Sequence, residues 1–362
     1  MTANVPVLEM VLGRLDATLS LHRILARVEA VRDETHDVKT FVLRPNARFG
    51  TFLPGSCVTV HVSIGGRSVQ RSYSLSSAPE GDRLVTITVK RVPGGLVSNH
   101  LADTLRPGDI LELGAPEGQF VLRPSTGALP DKLLMVSAGS GITPVMSMLR
   151  HLIAVGSASR GGGGGSPAEV TFLHFARSPR DVIFGRELEA IAKGNAHVKV
   201  VLCVEEPGDS WTGLSGRFSK ALLESVAPEF RTMATYLCGP SGFMRVVMQT
   251  FERAEADLSK LRFERFSADF DASQFLEHSQ TIRFLKSGVD ALSNRPLTVL
   301  QEAEGQGLKV DSGCRAGTCG TCRCKKRKGV VFNTATGQES GTGEEMIYPC
   351  VSIARGTVEV EL

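Results

Sequence analysis

The spacing of hydrophobic residues changes several times along the chain, and the changes divide it into segments. Residues 5 to 25 set Val5, Leu8, Leu12, Leu15, Leu19 and Ile24 at near-helical spacing. This predicts a short amphipathic helix with its apolar face packed on its own protein. Its polar face is not strongly basic, so a membrane-surface or partner-docking role is the less favoured reading. From about Arg27 to Leu122 the pattern shifts to short runs rich in Val, Thr and Ile, broken by Pro-Gly, Gly-Gly and Gly-Asp turns: ARVEAVRDETHDVKTFVLRP, SCVTVHVSI, RSYSLSS, RLVTITVKRV and DILELGAP. Five or six such strands predict a small antiparallel β-barrel.

From Asp131 the texture changes again. Lys132 to Ser137 is a continuous apolar strand that turns through Gly139, Ser140 and Gly141 into the helix VMSMLRHLIA. Strands near residues 170–175, 198–204 and 235–238 then alternate with helical stretches near 187–193, 218–226 and 242–256, which predicts a parallel sheet with helices on both faces. Arg262 to Phe266 reads as the strand closing that sheet, or as a plain core strand. Residues 267–279 are polar enough to be a linker. Beyond them come a hairpin near IRFLKSGVDAL, a short helix PLTVLQEAE, a cysteine-rich loop, and two closing runs, YPCVSIA and TVEVEL. The fold expected is multidomain, with segments 1–24, 25–128, 129–266, 267–279 and 280–362.

Composition narrows the function classes. In 362 residues, 42% hydrophobic content, 22% charged content and net charge +3 leave no nucleic-acid footprint. The basic run Lys325 to Lys328 reads as solvated surface. Of the eight cysteines four belong to one spaced pattern and the others are scattered singly, and with no secretory signal or long apolar stretch this points to a reducing compartment, hence the cytoplasm.

Cys314, Cys319 and Cys322 follow C-x4-C-x2-C spacing, with Cys350 further on. This is the ligand pattern of a plant-type 2Fe-2S ferredoxin, in which four thiolates hold two irons and the intervening glycines let the backbone curl around the cluster. A structural zinc site or disulfide framework fits the spacing less well, because zinc sites usually pair C-x2-C with a second such pair or with histidines. Cys324 is a spare, expected to be a half-buried thiol.

Arg71-Ser72-Tyr73-Ser74, followed 21 residues after Ser74 by Gly95-Leu96-Val97-Ser98, resembles the flavin domain of the ferredoxin-NADP reductase family. Read without the resemblance, the first is a β-strand and Ser98 a helix cap. The loop Gly139 to Pro144 and the segment Cys238-Gly239-Pro240 resemble the nicotinamide domain of the same family. The resemblance implies an antiparallel flavin barrel, an α/β nicotinamide domain and an α+β (β-grasp) ferredoxin domain, with FAD, a 2Fe-2S cluster and NADPH or NADH as cofactors. It implies that Arg71 binds a flavin phosphate and that Tyr73 flanks the flavin. Ser74 would lie by the hydride-accepting nitrogen, and Gly95, Leu96, Val97 and Ser98 would meet a pyrophosphate. Gly139, Gly141, Thr143, Pro144, Gly239 and Pro240 would line the coenzyme, with Cys238 beside its reactive carbon unless it is only a buried strand-end thiol. Glu264 would sit near the flavin edge and Phe266 stack on it.

The domain order is similar to that of reductase components of phenylacetyl-CoA-type oxygenases and of bacterial acyl desaturases. It implies an electron-transfer reductase feeding a separate terminal oxygenase or acyl desaturase, with room for a peripheral contact with a membrane partner. Phthalate dioxygenase reductases share the order but bind FMN; a pyrophosphate-facing Ser98 favours FAD. A redox-sensing flavin and iron–sulfur regulator is the competing reading. The expected coenzyme is NADPH: Arg177 and Ser178, with Arg186 in support, follow the second strand of the sheet, with no acid before Asp181. Read plainly, these are surface arginines.

Overall fold

The computed structural model describes residues 9, 13–80, 83–123, 130–159, 169–266, 280–293, 296–313, 315, 317 and 320–362. The chain divides into two units, Met1–Glu264 and Arg265–Leu362.

The first unit begins with six strands, β1 (Ile24–Thr35), β2 (Val38–Pro45), β3 (Cys57–Ile64), β4 (Arg67–Ser74), β5 (Val85–Lys90) and β6 (Ile110–Leu113), in the order β4-β3-β6-β1-β2-β5. All their pairings are antiparallel. Just past β4, Leu75 bridges to Ile87 of β5, and the Ser76 amide donates to the Thr86 carbonyl at 2.8 Å, so the two edge strands meet and the sheet closes. Alternation then sends Val28, Phe41, Val58, Val60 and Ile87 inward, and the helix Leu96–Thr104 adds Val97 and Leu101 to that core.

The N-terminal helix ends sooner than its periodicity predicts. Val5, Leu8 and Leu12 lie outside the described residues. The helical turn ends where the Asp16 carboxylate accepts from the Thr18 amide and hydroxyl, both at 2.8 Å. Ile24 belongs to β1, opposite Leu113, because Ile24, Ala26 and Val28 fit the barrel's two-residue period. Leu15 and Leu19 are 75% and 41% exposed, so they do not form the packed face expected of them.

The chain continues into a wholly parallel sheet of β7 (Lys132–Ala138), β8 (Glu169–Ala176), β9 (Val198–Val204), β10 (Leu214–Ser215), β11 (Ala234–Cys238) and β12 (Leu261–Glu264), in the order β10-β9-β8-β7-β11-β12. Strand β7 is apolar at successive positions because both of its faces are covered. Leu133 and Met135 enter a core with the helices Ile142–Ser159 and Gly185–Gly194, while Leu134 and Val136 enter another with Lys220–Val226 and Ser241–Arg253. Barrel and sheet share apolar contacts: Phe120 packs edge-on against Tyr236, ring centroids 5.8 Å apart. The glycine run 161–165 lies outside the described residues.

The second unit contains β13 (Gln280–Phe284), β14 (Val289–Ser293), the helix Val299–Gly305, β15 (Cys324–Asn333), β16 (Gln338–Glu339), β17 (Glu345–Ile347) and β18 (Ser352–Val360). Its mixed sheet runs β14-β13-β18-β15-β16, with β17 on β15 and a parallel β13–β18 pair. A capping box between Thr298 and Gln301 starts the helix. The two closing runs join: Ser352 to Val360 is one strand, and the last part of YPCVSIA begins it. The linker 267–279 lies outside the described residues.

The basic run on β15 is not uniformly solvated. Lys326 is fully buried, and its ammonium donates to the carbonyls of Gly329, Gly341 and Gly343 at 2.8, 2.8 and 2.7 Å and pairs with Glu345 at 3.0 Å. A run of four basic residues hides this because strand alternation turns only one of the inner two inward. Lys326→Met should destabilise the second unit by roughly 2–4 kcal/mol, since three buried carbonyls lose their donor and Glu345 its counter-charge. Urea unfolding followed by near-UV circular dichroism checks this; an unchanged midpoint would contradict it.

Candidate active site

Strand β4 carries Arg71, Tyr73 and Ser74 at its end, opposite Val60, Val58 and Cys57 of β3. The Arg71 guanidinium is half-buried and donates to the Gln70 carbonyl at 2.7 Å. Burial pushes the Tyr73 phenol up to about 12 against the opposing pull of Arg71, so the ring is neutral. Gly95 is the N-cap of the helix Leu96–Thr104 and offers no side-chain cap. A Cβ there would lie 2.7 Å from the Ser98 hydroxyl and 2.9 Å from the Val92 side chain, so only glycine fits this tight entry. Leu96 is exposed; Val97 and Ser98 are buried. Ser98 is not the cap: it lies inside the helix, and its hydroxyl accepts from the Val92 amide at 3.3 Å. No side chain caps the first-turn amides, and the helix lies against β4 with its arginine and neutral aromatic ring, so these residues fit a flavin bearing phosphate.

On the sheet side, Gly139 takes φ +52° and Gly141 starts the turn into the helix Ile142–Ser159, which carries Pro144 in its first turn. Thr143 donates to the Ser140 carbonyl at 3.0 Å. A Cβ on Gly141 would lie 2.3 Å from the Cys238 carbonyl oxygen, so the β7 loop rests directly on the end of β11. Gly239 is nearly as confined, between Phe243 and Ala138, and Pro240 caps the helix Ser241–Arg253.

Three residues expected from separate motifs come together. Glu264 is the register partner of Cys238, and the Ser74 hydroxyl donates to the Glu264 carboxylate at 3.5 Å. Cys238 has no exposure, and burial first, then the Glu264 charge, pushes its thiol well above the ordinary range. It is therefore an S–H group at neutral pH, not a thiolate nucleophile. Strand β12 ends at Glu264, so Phe266 lies past it, 40% exposed, in the second unit.

Arg177 emerges from β8, 76% exposed at its side chain, and its Nε donates to Glu206 at 3.1 Å. Glu206 follows β9, so the sheet supplies an acid 29 residues away from an arginine that has none nearby before Asp181. Ser178 donates to Asp181 at 2.5 Å, and Arg186 is exposed.

In the second unit Cys322 and Cys350 are both buried in one small cluster with Leu300 and Val351. Gly317 and Gly320 take φ +77° and +74°, and a Cβ on Gly317 would lie 2.8 Å from Val351. A thiol that follows a loop coiled through glycine and a second on the helical turn Pro349–Val351 converge as a thiolate-held cluster requires. Cys314 and Cys319 lie outside the described residues. Cys324 is buried in the other core of this unit, not half-buried, and burial pushes its thiol up to about 12.

The fold and the site together define an NAD(P)H-dependent flavin and iron–sulfur oxidoreductase. Three domain families match in sequence order: the oxidoreductase FAD-binding domain over residues 25–122, the oxidoreductase NAD-binding domain over 135–249 and the 2Fe-2S iron-sulfur cluster binding domain over 284–355. An NADPH oxidoreductase of Mycobacterium tuberculosis is 33% identical over 95% of this chain and 85% of its own length. A glycine betaine monooxygenase reductase subunit of Pseudomonas aeruginosa is 32% identical over 94% of this chain and 95% of its own. Phthalate dioxygenase reductase shares the fold, with TM-score 0.61 at 23% identity over 94% of this chain and 98% of that one. The chain belongs to the ferredoxin-NADP reductase family, in the branch fused to a C-terminal 2Fe-2S ferredoxin domain that includes oxygenase reductase components.

Reading the sequence missed Ser137 and His174, which face each other at 2.9 Å on β7 and β8 with no solvent exposure. The available signal was Ser137 closing the apolar run Leu133 to Val136 and His174 set between Leu173 and Phe175. Burial pushes His174 down to about 3 from 6.5, so it is neutral in the folded chain, whereas the unfolded chain takes up a proton below about 6.5. This stability is present above the unfolded value and lost as pH falls toward 3. The free energy of unfolding of the first unit should thus carry a slope of up to about 1.4 kcal/mol per pH unit in that window. His174→Asn should remove that component. Urea midpoints at pH 7, 6 and 5 compare the two proteins, and identical pH slopes would refute the assignment.

Proposed function

We propose that this chain is the reductase component of a two-protein oxygenase system, cytoplasmic and NADPH-preferring, with a separate terminal oxygenase as electron acceptor. End-to-end similarity to an oxygenase reductase subunit carries this reading. An acyl desaturase, with a peripheral membrane contact, would make the same demand for single electrons at iron. When bound, the reduced nicotinamide supplies a hydride, the flavin takes both electrons and releases them singly, and the 2Fe-2S cluster carries them one at a time.

The chain's own residues bind and orient. Arg71 holds a flavin phosphate, Tyr73 covers one face of the flavin, and the amides from Leu96 to Ser98 meet a pyrophosphate, favouring FAD over FMN. Gly139, Gly141, Thr143, Pro144, Gly239 and Pro240 let the coenzyme approach the backbone closely. Ser74, Cys238 and Glu264 keep the nicotinamide and flavin aligned as uncharged or singly charged neighbours, and none acts as a nucleophile. Cys314, Cys319, Cys322 and Cys350 hold the irons. Arg177 takes a ribose 2′-phosphate only by giving up Glu206, with Ser178 and Arg186 in support.

Anaerobic NADPH should reduce the flavin and then the cluster, and the reduced protein should pass electrons rapidly to cytochrome c and support a reconstituted terminal oxygenase. Flavin that reduces but delivers no electrons to any acceptor would instead mark a sensor. Cys319→Ser should abolish the cluster absorbance and leave flavin reduction by NADPH at the wild-type rate; a folded variant with unreducible flavin would refute independent domains.

Arg177→Ala should raise KM for NADPH about tenfold, the loss of one exposed charge-assisted contact, and leave NADH kinetics unchanged. Glu206→Gln should lower KM for NADPH, since the arginine no longer has a competing partner. Equal or better kcat/KM with NADH in the unmutated enzyme would overturn the NADPH assignment.

A further inference from the structure

Arg177 and Ser178 follow β8 at the carboxyl edge of the parallel sheet, and each is already matched to an acid. The Arg177 pair with Glu206 is open to water. The second match is drier. Ser178 donates to Asp181 Oδ2 at 2.5 Å, and the Asp181 amide donates back to the Ser178 carbonyl at 3.0 Å across the turn Pro179–Asp181. The Asp181 side chain is only 14% exposed, and its other oxygen stands 3.7 Å from His36 Nδ1, in the turn between β1 and β2. His36 Nε2 lies 4.0 Å from Asp37, which pairs with Lys90 at 2.7 Å. Asp181 is therefore held between its own loop and the barrel, with a partner on each oxygen, and is not a surface carboxylate free to swing aside.

A serine hydroxyl facing an acid three residues on is a common way to hold a turn. Here it has a second consequence, because a hydroxyl has one hydrogen to give. Given to Asp181, that hydrogen is withheld from a phosphate at the same place. A 2′-phosphate at neutral pH is almost wholly an acceptor, so it needs the donor, and it also meets Asp181 as a like charge. A ribose 2′-hydroxyl is different. It brings a hydrogen of its own, which the Ser178 oxygen accepts while still donating to Asp181. The acid therefore bears on the phosphorylated coenzyme and spares the other, which is how a repulsive element sets specificity.

We propose that Asp181 is a specificity-determining residue: it competes with the 2′-phosphate of the coenzyme for the Ser178 hydroxyl and so narrows the margin by which NADPH is preferred to NADH. The proposal rests on the reading of Arg177 and Ser178 as the place of that phosphate.

Isothermal titration of the full-length holoenzyme with adenosine 2′,5′-bisphosphate and with adenosine 5′-phosphate tests it without turnover. Asp181→Ala should tighten the bisphosphate about tenfold and shift the monophosphate by no more than about twofold. A merely structural role would move both nucleotides together, and that result would overturn the proposal. In a Ser178→Ala background the same substitution should tighten the bisphosphate by no more than about threefold, because the hydroxyl it frees is gone. Equal gains in the two backgrounds would overturn the proposal, as would an unchanged or weaker bisphosphate in Asp181→Ala while Arg177→Ala weakens it. Should Asp181→Ala not fold, Asp181→Asn decides: its loss of charge should tighten the bisphosphate about threefold, and no gain would be fatal. If the unmutated enzyme binds the two nucleotides equally and Arg177→Ala alters neither, the coenzyme reading itself fails and takes the proposal with it.

Discussion

The guanidinium of Arg150 joins the barrel to the parallel sheet, and the geometry of the site depends on that junction. Its Nε and Nη2 make a two-pronged pair with Glu187 at 2.8 and 2.6 Å, it lies 4.7 Å from the Phe184 ring centroid, and its remaining Nη1 donates to the Ser76 carbonyl of the barrel. Glu187 and Phe184 belong to the sheet domain, so they fix the fork before it reaches across. One turn earlier on the same helix, Ser147 donates to the Ser77 carbonyl at 2.6 Å and accepts from the Gly55 amide at 3.2 Å. The helix that begins at the Gly141 loop is thus fastened to the stretch that follows Ser74. Hydride transfer demands that reacting atoms lie about 3–3.5 Å apart, so a hinge at this junction would be ruinous. The 3.5 Å contact from Ser74 to Glu264 crosses the same seam.

Much of this architecture was legible because period and motif are local properties. The two-residue period of 27–122 became a closed barrel, and the continuous apolar run Lys132 to Ser137 became the doubly covered β7. The convergence of Ser74, Cys238 and Glu264 could be anticipated only through a family pattern, because Ser74 and Glu264 are 190 residues apart. What sequence hid was decided by strand pairing. Glu206 becomes the partner of Arg177 because β8 and β9 are neighbours, and Lys326 is interior because alternation and three carbonyls outweigh the solvation of one charge. Ile24 looked helical at near-helical spacing from Leu19, yet pairing with Leu113 of β6 fixes it as strand.

The distribution of charge across the site follows from the same pairing. Burial leaves Cys238 a thiol, Tyr73 a phenol and His174 a neutral imidazole, whereas the charged groups Arg71 and Glu264 are only half-buried. Full ionic charges in that interior would carry a large solvation penalty, and it would change whenever an electron pair arrived or left. Neutral dipolar groups avoid this, because a hydroxyl or thiol meets a change of charge without a proton being exchanged with water. A parallel sheet is well suited to align such dipoles, since its register sets one side chain per strand at a common level and leaves the row open at the edge strand β12. The anion can therefore stand at the rim, where water partly solvates it, while Cys238, Ser137 and His174 farther along the row stay dry.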